Sequence, residues 1–182
     1  MKWRDIEYEE LPLTDPRLSA VIEAVESKLG NGDVIFRIFR PIDEASFDLA
    51  WRLDLQGIEH PLRCFLEARS VRDIVPELGI PDPLPCVPKH IWYSGFEFEG
   101  AVTRLLLSDG VYDRSTLSEG QARTMAREFV DALAGPERLQ TVAFRIDEAW
   151  TDWFYNFPLD LTFIVLQIPV RRWAMLCVTD AD

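Results

Sequence analysis

The chain has 182 residues, with 31 Asp and Glu against 19 Lys and Arg and a formal net charge of −12. Hydrophobic residues make up 48% of it, which excludes a disordered chain, because disordered segments lack the apolar side chains that build a core. The negative charge argues against nucleic acid as a partner, since binding to phosphates requires a cluster of Lys and Arg.

The first predicted element is a helix over residues 16–29, which Asp15 is placed to cap. A β-branched and aromatic run predicts a strand over residues 34–40. Strict alternation of apolar and polar residues over 47–55 then predicts a half-exposed strand of an antiparallel sheet.

The middle of the chain has weaker patterns. Residues 62–68 fit either a third strand or a helix, and residues 70–78 fit a short helix interrupted by Pro76. Residues 79–90 contain four prolines, which predicts a stiff connector and a possible subdomain boundary within an otherwise single domain.

The second half predicts two helices, over residues 99–108 and 118–134, followed by three strands over 141–146, 161–168 and 173–179. The last two strands are apolar on both faces, which is typical of central strands covered on both sides. The order of elements predicts an α+β fold, with an antiparallel or mixed sheet and helices packed against it.

The cysteines and the N-terminus indicate the compartment. Cys64, Cys86 and Cys177 are odd in number and form no Cys-x-x-Cys pair, as is typical of free thiols in a reducing cytoplasm. The first ten residues contain no apolar signal segment, and the longest uncharged apolar run, 161–170, is too short to cross a bilayer. We expect a cytoplasmic protein with no membrane partner.

Two pairs of metal-ligating residues have a four-residue spacing, His60 with Cys64 and Cys86 with His90. A tetrahedral zinc site uses such pairs, since each brings two ligands to one side of the ion. A proline interrupts each pair, however, and a chain this apolar needs no metal to fold. We therefore expect buried thiols and surface histidines, with no metal and no cofactor.

Nucleophilic catalysis has little support in the sequence. The chain contains no Gly-x-Ser-x-Gly motif, and with two histidines any Cys–His or Ser–His pair must use His60 or His90. No local pattern supports either one. The glycines of residues 30–32 follow a helix and precede a strand, the reverse of a dinucleotide-binding motif, so they predict a turn.

Residues 147–160 hold five aromatic and four acidic residues. Trp and Tyr are enriched at interface hot spots, and acids around them suit a partner rich in Arg and Lys. The alternative is core packing of Trp150, Phe154 and Phe157, and a second aromatic cluster at 90–98 has the same two interpretations. The candidate partner-binding residues are Asp147, Glu148, Trp150, Asp152, Trp153 and Tyr155, followed by Glu97 and Glu99.

Residues 147–182 join Trp150 and Asp152-Trp153-Phe154-Tyr155 to an apolar strand, and in this they resemble the end of uncharacterised bacterial proteins. Residues 92–100 also look familiar, and in style the chain is similar to small acidic immunity proteins of polymorphic or contact-delivered toxin systems. The resemblance implies a non-enzymatic protein that neutralises a basic toxin domain. It implies no catalytic residues for this chain.

Two alternatives remain open. One is a small enzyme or ligand-binding domain whose pocket lies between the aromatic clusters and uses Glu97, Glu99 or Asp152 as acid or base. The other is a homo-oligomeric scaffold.

Overall fold

The computed structural model describes residues 3–108, 116–135, 137–157 and 159–180. Its strands are β1 (Tyr8–Leu11), β2 (Asp33–Pro41), β3 (Ile91–Ser94), β4 (Thr141–Ile146), β5 (Leu161–Gln167) and β6 (Arg172–Thr179). The α-helices of the described residues are α1 (Pro16–Glu26), α2 (Glu44–Leu53), α3 (Glu59–Glu67), α4 (Arg69–Ile74), α5 (Gly95–Leu107) and α6 (Glu119–Ala134). The strands form one antiparallel sheet in the order β1-β2-β6-β5-β4-β3, which confirms the predicted α+β class.

Helices cover both faces of this sheet. Helices α1, α5 and α6 pack on one face, around residues such as Phe163 and Leu176. Helices α2, α3 and α4 pack on the other, around Phe65 and Trp173, whose rings stack with centroids 4.4 Å apart. Since successive strand residues point to opposite faces, β5 and β6 are buried along almost their whole length, as the sequence predicts.

The predicted strand over residues 47–55 is wrong, because most of this stretch lies in α2. The carboxylate of Asp43 caps the helix by accepting hydrogen bonds from two backbone N–H groups, at 3.0 and 3.3 Å. Phe47 and Ala50, three residues apart, are buried, whereas the three leucines of the alternating pattern are exposed. A helical cap and helical burial therefore outweigh the alternation.

Other differences are smaller. The ambiguous residues 62–68 lie mostly in α3, and 70–78 form most of α4 followed by a 3-10 turn at Pro76–Leu78. The sequence does not predict β1 or β3, and α5 begins four residues before its predicted start. The stretch 79–90 connects this turn to β3, and the subdomain boundary stays a prediction. No helix in the described part of the chain has the length and apolarity needed to span a membrane.

The two ends of the sheet carry different side chains. At one end, β2, β3 and β5 begin while β4 and β6 finish, and the loop of residues 147–157 lies there. We call it the acidic end, after its exposed Asp33, Asp147, Glu148 and Asp152. At the other end, where β3 finishes and α5 begins, Arg138 and Arg171 form ion pairs. We call this the arginine end.

Candidate functional site

Aromatic rings attach the loop of residues 147–157 to the sheet. The indole Nε1 of Trp150 donates a hydrogen bond to Oγ1 of Thr162 at 3.0 Å, and Thr162 lies at the start of β5. Phe154 is buried, and Trp153 packs edge-on against it with ring centroids 5.0 Å apart. The rings of Trp150 and Phe154 therefore belong to the packing beneath the sheet, which favours the core interpretation for these two side chains.

The backbone around Tyr155 is fixed by a second set of bonds. Its N–H donates to Oγ1 of Thr179 at 3.3 Å, and that hydroxyl donates to the buried carboxylate of Asp160 at 2.6 Å. Asp160 also accepts from the N–H of Phe157 at 2.9 Å. The ring of Tyr155 itself is 57% exposed, so the loop presents an aromatic side chain to solvent from a fixed backbone.

The carboxylates of the same loop point outward. Asp147, Glu148 and Asp152 are all exposed. Asp147 accepts a hydrogen bond from Arg145 at 2.7 Å, and Glu148 accepts one from the backbone N–H of Lys89 at 2.9 Å. No ion pair with the described residues holds Asp152. The loop thus combines anchored rings with exposed negative charge.

A cavity of about 260 Å³ lies between the two aromatic segments, where the enzyme alternative expects a pocket. It is lined by Lys89, His90, Ile91, Arg145, Asp147 and Glu148. The proposed acid–base residues Glu97, Glu99 and Asp152 are not among the described residues that line it. Its own acids are engaged by Arg145 and by the Lys89 N–H, and the Nδ1–H of its His90 donates to the backbone carbonyl of Pro88 at 2.9 Å.

Glu97 and Glu99 lie at the arginine end, away from the loop. Glu97 accepts hydrogen bonds from the N–H and the hydroxyl of Ser94, at 2.9 and 2.8 Å, in a capping box that starts α5. These bonds lower the pKa of the Glu97 carboxyl. Glu99 pairs with Arg138, which also donates to Asp131 at 2.6 Å. Both acids therefore have structural roles, and the structure does not bring them to the other candidates.

Three further side chains form a line between α2 and α3 that the sequence patterns do not predict. His60 Nδ1 lies 3.0 Å from Oδ2 of Asp54. Since an ionised carboxylate can only accept, Nδ1 carries a proton, and in the neutral imidazole Nε2 is then an acceptor. Nε2 lies 3.5 Å from Sγ of Cys64, within hydrogen-bond range for sulfur. The order Cys–His–Asp is that of a nucleophile, a base and a group that orients the base.

Two adjoining cavities border this line. A cavity of about 530 Å³ is lined by His60 and Asp54, and one of about 390 Å³ is lined by Cys64. Arg4 and Arg63 line both. Burial raises the pKa of the Cys64 thiol, and the neighbouring Arg4 guanidinium opposes that rise. The arrangement therefore places a neutral thiol beside two arginines, with the carboxylates of Glu67 and Asp82 lining the same cavity.

The zinc candidates do not assemble into a site. His60 and Cys64 are in contact, but Cys86 is exposed, and Nε2 of His90 lies 3.7 Å from a carboxylate oxygen of Glu59. Within the part of the chain that the structure describes, no three His, Cys, Asp or Glu side chains are placed to hold a metal ion.

The four-residue spacing of His60 and Cys64 is the one sequence signal that could have revealed the line of side chains, because it places both on one face of a helix. Positions 158, 181 and 182 of the stretch that resembles the end of uncharacterised bacterial proteins lie outside the described residues. No protein-family model, no curated protein and no solved structure matches the chain.

Proposed function

We propose that the protein binds and neutralises a basic partner, a toxin domain, through its acidic end. The observation that supports this is the loop of residues 147–157, whose Trp150 and Phe154 rings pack on the sheet while its carboxylates remain in solvent. The exposed Tyr155 lies on the same loop. An acidic surface with an aromatic contact fits a partner rich in Arg and Lys.

The charge acts on association. The exposed Asp33 adds to Asp147, Glu148 and Asp152 at the same end of the sheet, on a chain of net charge −12. Such a surface attracts a positively charged protein over a distance and raises the rate of encounter, most strongly at low salt. Its basic neighbours include Lys89, Arg104 and Arg145; Arg145 is already paired with Asp147, and Arg104 lines a cavity with that same aspartate.

The exposed ring of Tyr155 acts on the dissociation rate. Tyr is among the residues that contribute most to interface energies, and a ring on a fixed backbone loses little conformational freedom when a partner binds. Ile91, which is 57% exposed, lies on β3 at the same end. Three strand spacings separate β3 from β6, about 14 Å, so Ile91 and Tyr155 fit within one interface of standard size.

The experiment is co-expression with the product of the adjacent open reading frame, measuring relief of toxicity and co-purification. The test variant combines Asp147→Asn, Glu148→Gln and Asp152→Asn. We expect its association rate to fall at least about tenfold at low salt, with a weaker dependence on salt than the original protein shows.

A matched control carries Glu23→Gln, Asp73→Asn and Glu128→Gln, three exposed acids on α1, α4 and α6. It makes the same change in net charge elsewhere on the surface, and we expect its association rate to stay close to that of the original protein. Equal effects of the two triple variants would contradict the assignment to the acidic end. Absence of both co-purification and relief of toxicity would contradict the function itself.

A further inference from the structure

We propose that Asp54, His60 and Cys64 form a nucleophilic site at which the Cys64 thiol attacks the carbonyl carbon of an anionic ester or thioester. The site lies on the face of the sheet covered by α2, α3 and α4, and it shares no residue with the acidic end. It adds a chemical activity to the binding function proposed above.

The geometry fixes the direction of proton transfer. Asp54 follows α2 directly, and its Oδ1 accepts a hydrogen bond from the N–H of Gln56 at 2.8 Å, which orients the carboxylate. Its Oδ2 then holds the Nδ1–H of His60, so Nε2 presents its lone pair to Cys64. Asp54 is thus a positioning residue, and His60 is the base.

The surroundings keep the thiol neutral until it reacts. Cys64 is 1% exposed, and this burial disfavours a thiolate. The nucleophile therefore forms when His60 takes the proton during attack. The side chain of Asp54 is only 6% exposed, so solvent screens its charge little and it stabilises the imidazolium that results.

Arg4 and Arg63 define the class of substrate. Both line the two cavities, and both pair with Glu67, Arg63 at 2.9 Å and Arg4 at 3.8 Å. Their side chains are more than two-fifths exposed, so they can exchange Glu67 for the carboxylate or phosphate of a ligand. Arg4, the cation beside the thiol, can also stabilise the oxyanion that forms when the carbonyl is attacked.

The reaction balances without a further reagent. The S–H proton moves to His60 Nε2 as sulfur bonds to the carbonyl carbon, and the bond from that carbon to the leaving oxygen or sulfur breaks. The leaving group departs with the proton from Nε2. Water then adds to the thioester carbon and gives a proton to His60, the carbon–sulfur bond breaks, and Cys64 regains its proton. The sum is hydrolysis of one ester or thioester bond.

The first experiment measures alkylation of the full chain carrying Cys86→Ser, which removes the exposed thiol. Cys64 lines a cavity and lies beside His60, whereas Cys177 is buried against the Thr162 hydroxyl and burial raises the pKa of its thiol to about 12, so we expect Cys177 to stay unreactive. We expect mass spectrometry to find Cys64 alkylated at least about threefold faster by iodoacetate than by iodoacetamide. Arg4→Gln with Arg63→Gln should abolish that preference. An unreactive Cys64, or a preference that survives loss of both arginines, would overturn the proposal.

The second experiment measures release of 4-nitrophenol from a 4-nitrophenyl ester with a distal carboxylate. Asp54→Asn preserves the shape of the residue but donates to Nδ1 and so places the His60 proton on Nε2. We expect a fall of about 10²- to 10⁴-fold in the acylation rate, with an unchanged thermal midpoint and a reversed His60 tautomer by ¹⁵N NMR. Cys64→Ser should lose the same activity. Turnover that is unchanged in Asp54→Asn, or equal in Cys64→Ser, would overturn the proposal.

Discussion

The two ends of the sheet use the same types of residue in different ways. At the arginine end, Asp48 accepts two hydrogen bonds from Arg171, at 2.7 and 2.9 Å, and Glu99 shares Arg138 with Asp131. At the acidic end, Asp152 has no such partner among the described residues. The difference lies in the guanidinium groups within reach, and it leaves the acidic end with charge that a partner can use.

The aromatic residues differ in the same way. At the arginine end, the exposed Phe96 lies 5.8 Å beneath the Arg138 guanidinium, so a cation of the chain itself already covers that ring. At the acidic end, Tyr155 is exposed above the buried Phe154. Of these two rings, the one left uncovered for the arginines of a partner is Tyr155, at the acidic end.

The largest expected effect distinguishes Trp150, whose ring anchors the loop to the sheet, from Tyr155, whose ring is exposed to a partner. Trp150→Ala removes a half-buried indole and its bond to Thr162, and we expect the free energy of unfolding to fall by about 2–4 kcal/mol. Tyr155→Ala should change it by less than about 0.5 kcal/mol while weakening binding. Urea denaturation and binding measurements on both variants check this. Similar losses of stability in the two variants would mean that the loop is not organised as described.

A smaller effect compares the arginines of the two ends. Arg138→Met leaves Glu99 and Asp131 without their shared cation, and the Arg138 side chain is only 13% exposed. We expect a loss of about 1–3 kcal/mol in the free energy of unfolding. Arg145→Met at the acidic end releases one carboxylate, that of Asp147, together with a contact to Tyr93, and should cost less than half as much. Guanidinium denaturation measures both, and an equal or larger loss in Arg145→Met would contradict the contrast between the ends.

Much of the fold could be predicted from the sequence. Apolar residues on both faces predict strands β5 and β6. An apolar stripe that follows a capping residue, Asp15 or Ser118, predicts helices α1 and α6. Strands β1 and β3 were not predicted, because each has four residues and lies at an edge of the sheet, where burial imposes little pattern. In α2, exposed leucines happen to alternate with polar residues, so a local pattern gave the wrong element.

The sites were less predictable than the fold. The composition of residues 147–160 indicates a special loop, but which ring is buried depends on contacts such as that of Trp150 with Thr162, across twelve residues of chain. The line of Asp54, His60 and Cys64 joins segments whose secondary structure the sequence does not predict correctly. Asp54 belongs to the predicted strand 47–55, which is wrong. Cys64 belongs to residues 62–68, which fit either a strand or a helix, and His60 lies just before them. Arg4 lies sixty positions before Cys64 in the chain, a proximity that no local pattern reveals.

The loss of stability at acid pH tests the pair of Asp15 and Arg17, in which Arg17 also interacts with Asp131 of the arginine end. Arg17, which also feels the charge of Asp131, lowers the pKa of Asp15 from 3.8 to about 2. A lowered pKa favours the charged form in the folded state, so this pair stabilises the protein above pH 3.8 and the gain is lost as the pH falls to about 2. Asp15→Asn does not titrate, so we expect its free energy of unfolding to fall less steeply over that interval. Urea denaturation midpoints at several pH values measure how steeply the free energy of unfolding falls in each protein. Identical slopes for Asp15→Asn and the original protein would contradict the lowered pKa of Asp15.

The smallest expected effect is a difference in sign between the ends. Asp48→Asn breaks the pair with Arg171 and should lower the free energy of unfolding. Asp152→Asn breaks no pair with the described residues and removes one negative charge from a chain of net charge −12. Because self-repulsion destabilises a highly charged folded state, we expect a gain in stability of less than about 0.5 kcal/mol. The gain should shrink at 1 M salt, where screening acts within about 3 Å. Denaturation midpoints at low and high salt measure this change in stability. A loss of stability in Asp152→Asn would show that its carboxylate stabilises the fold and is not available to a partner.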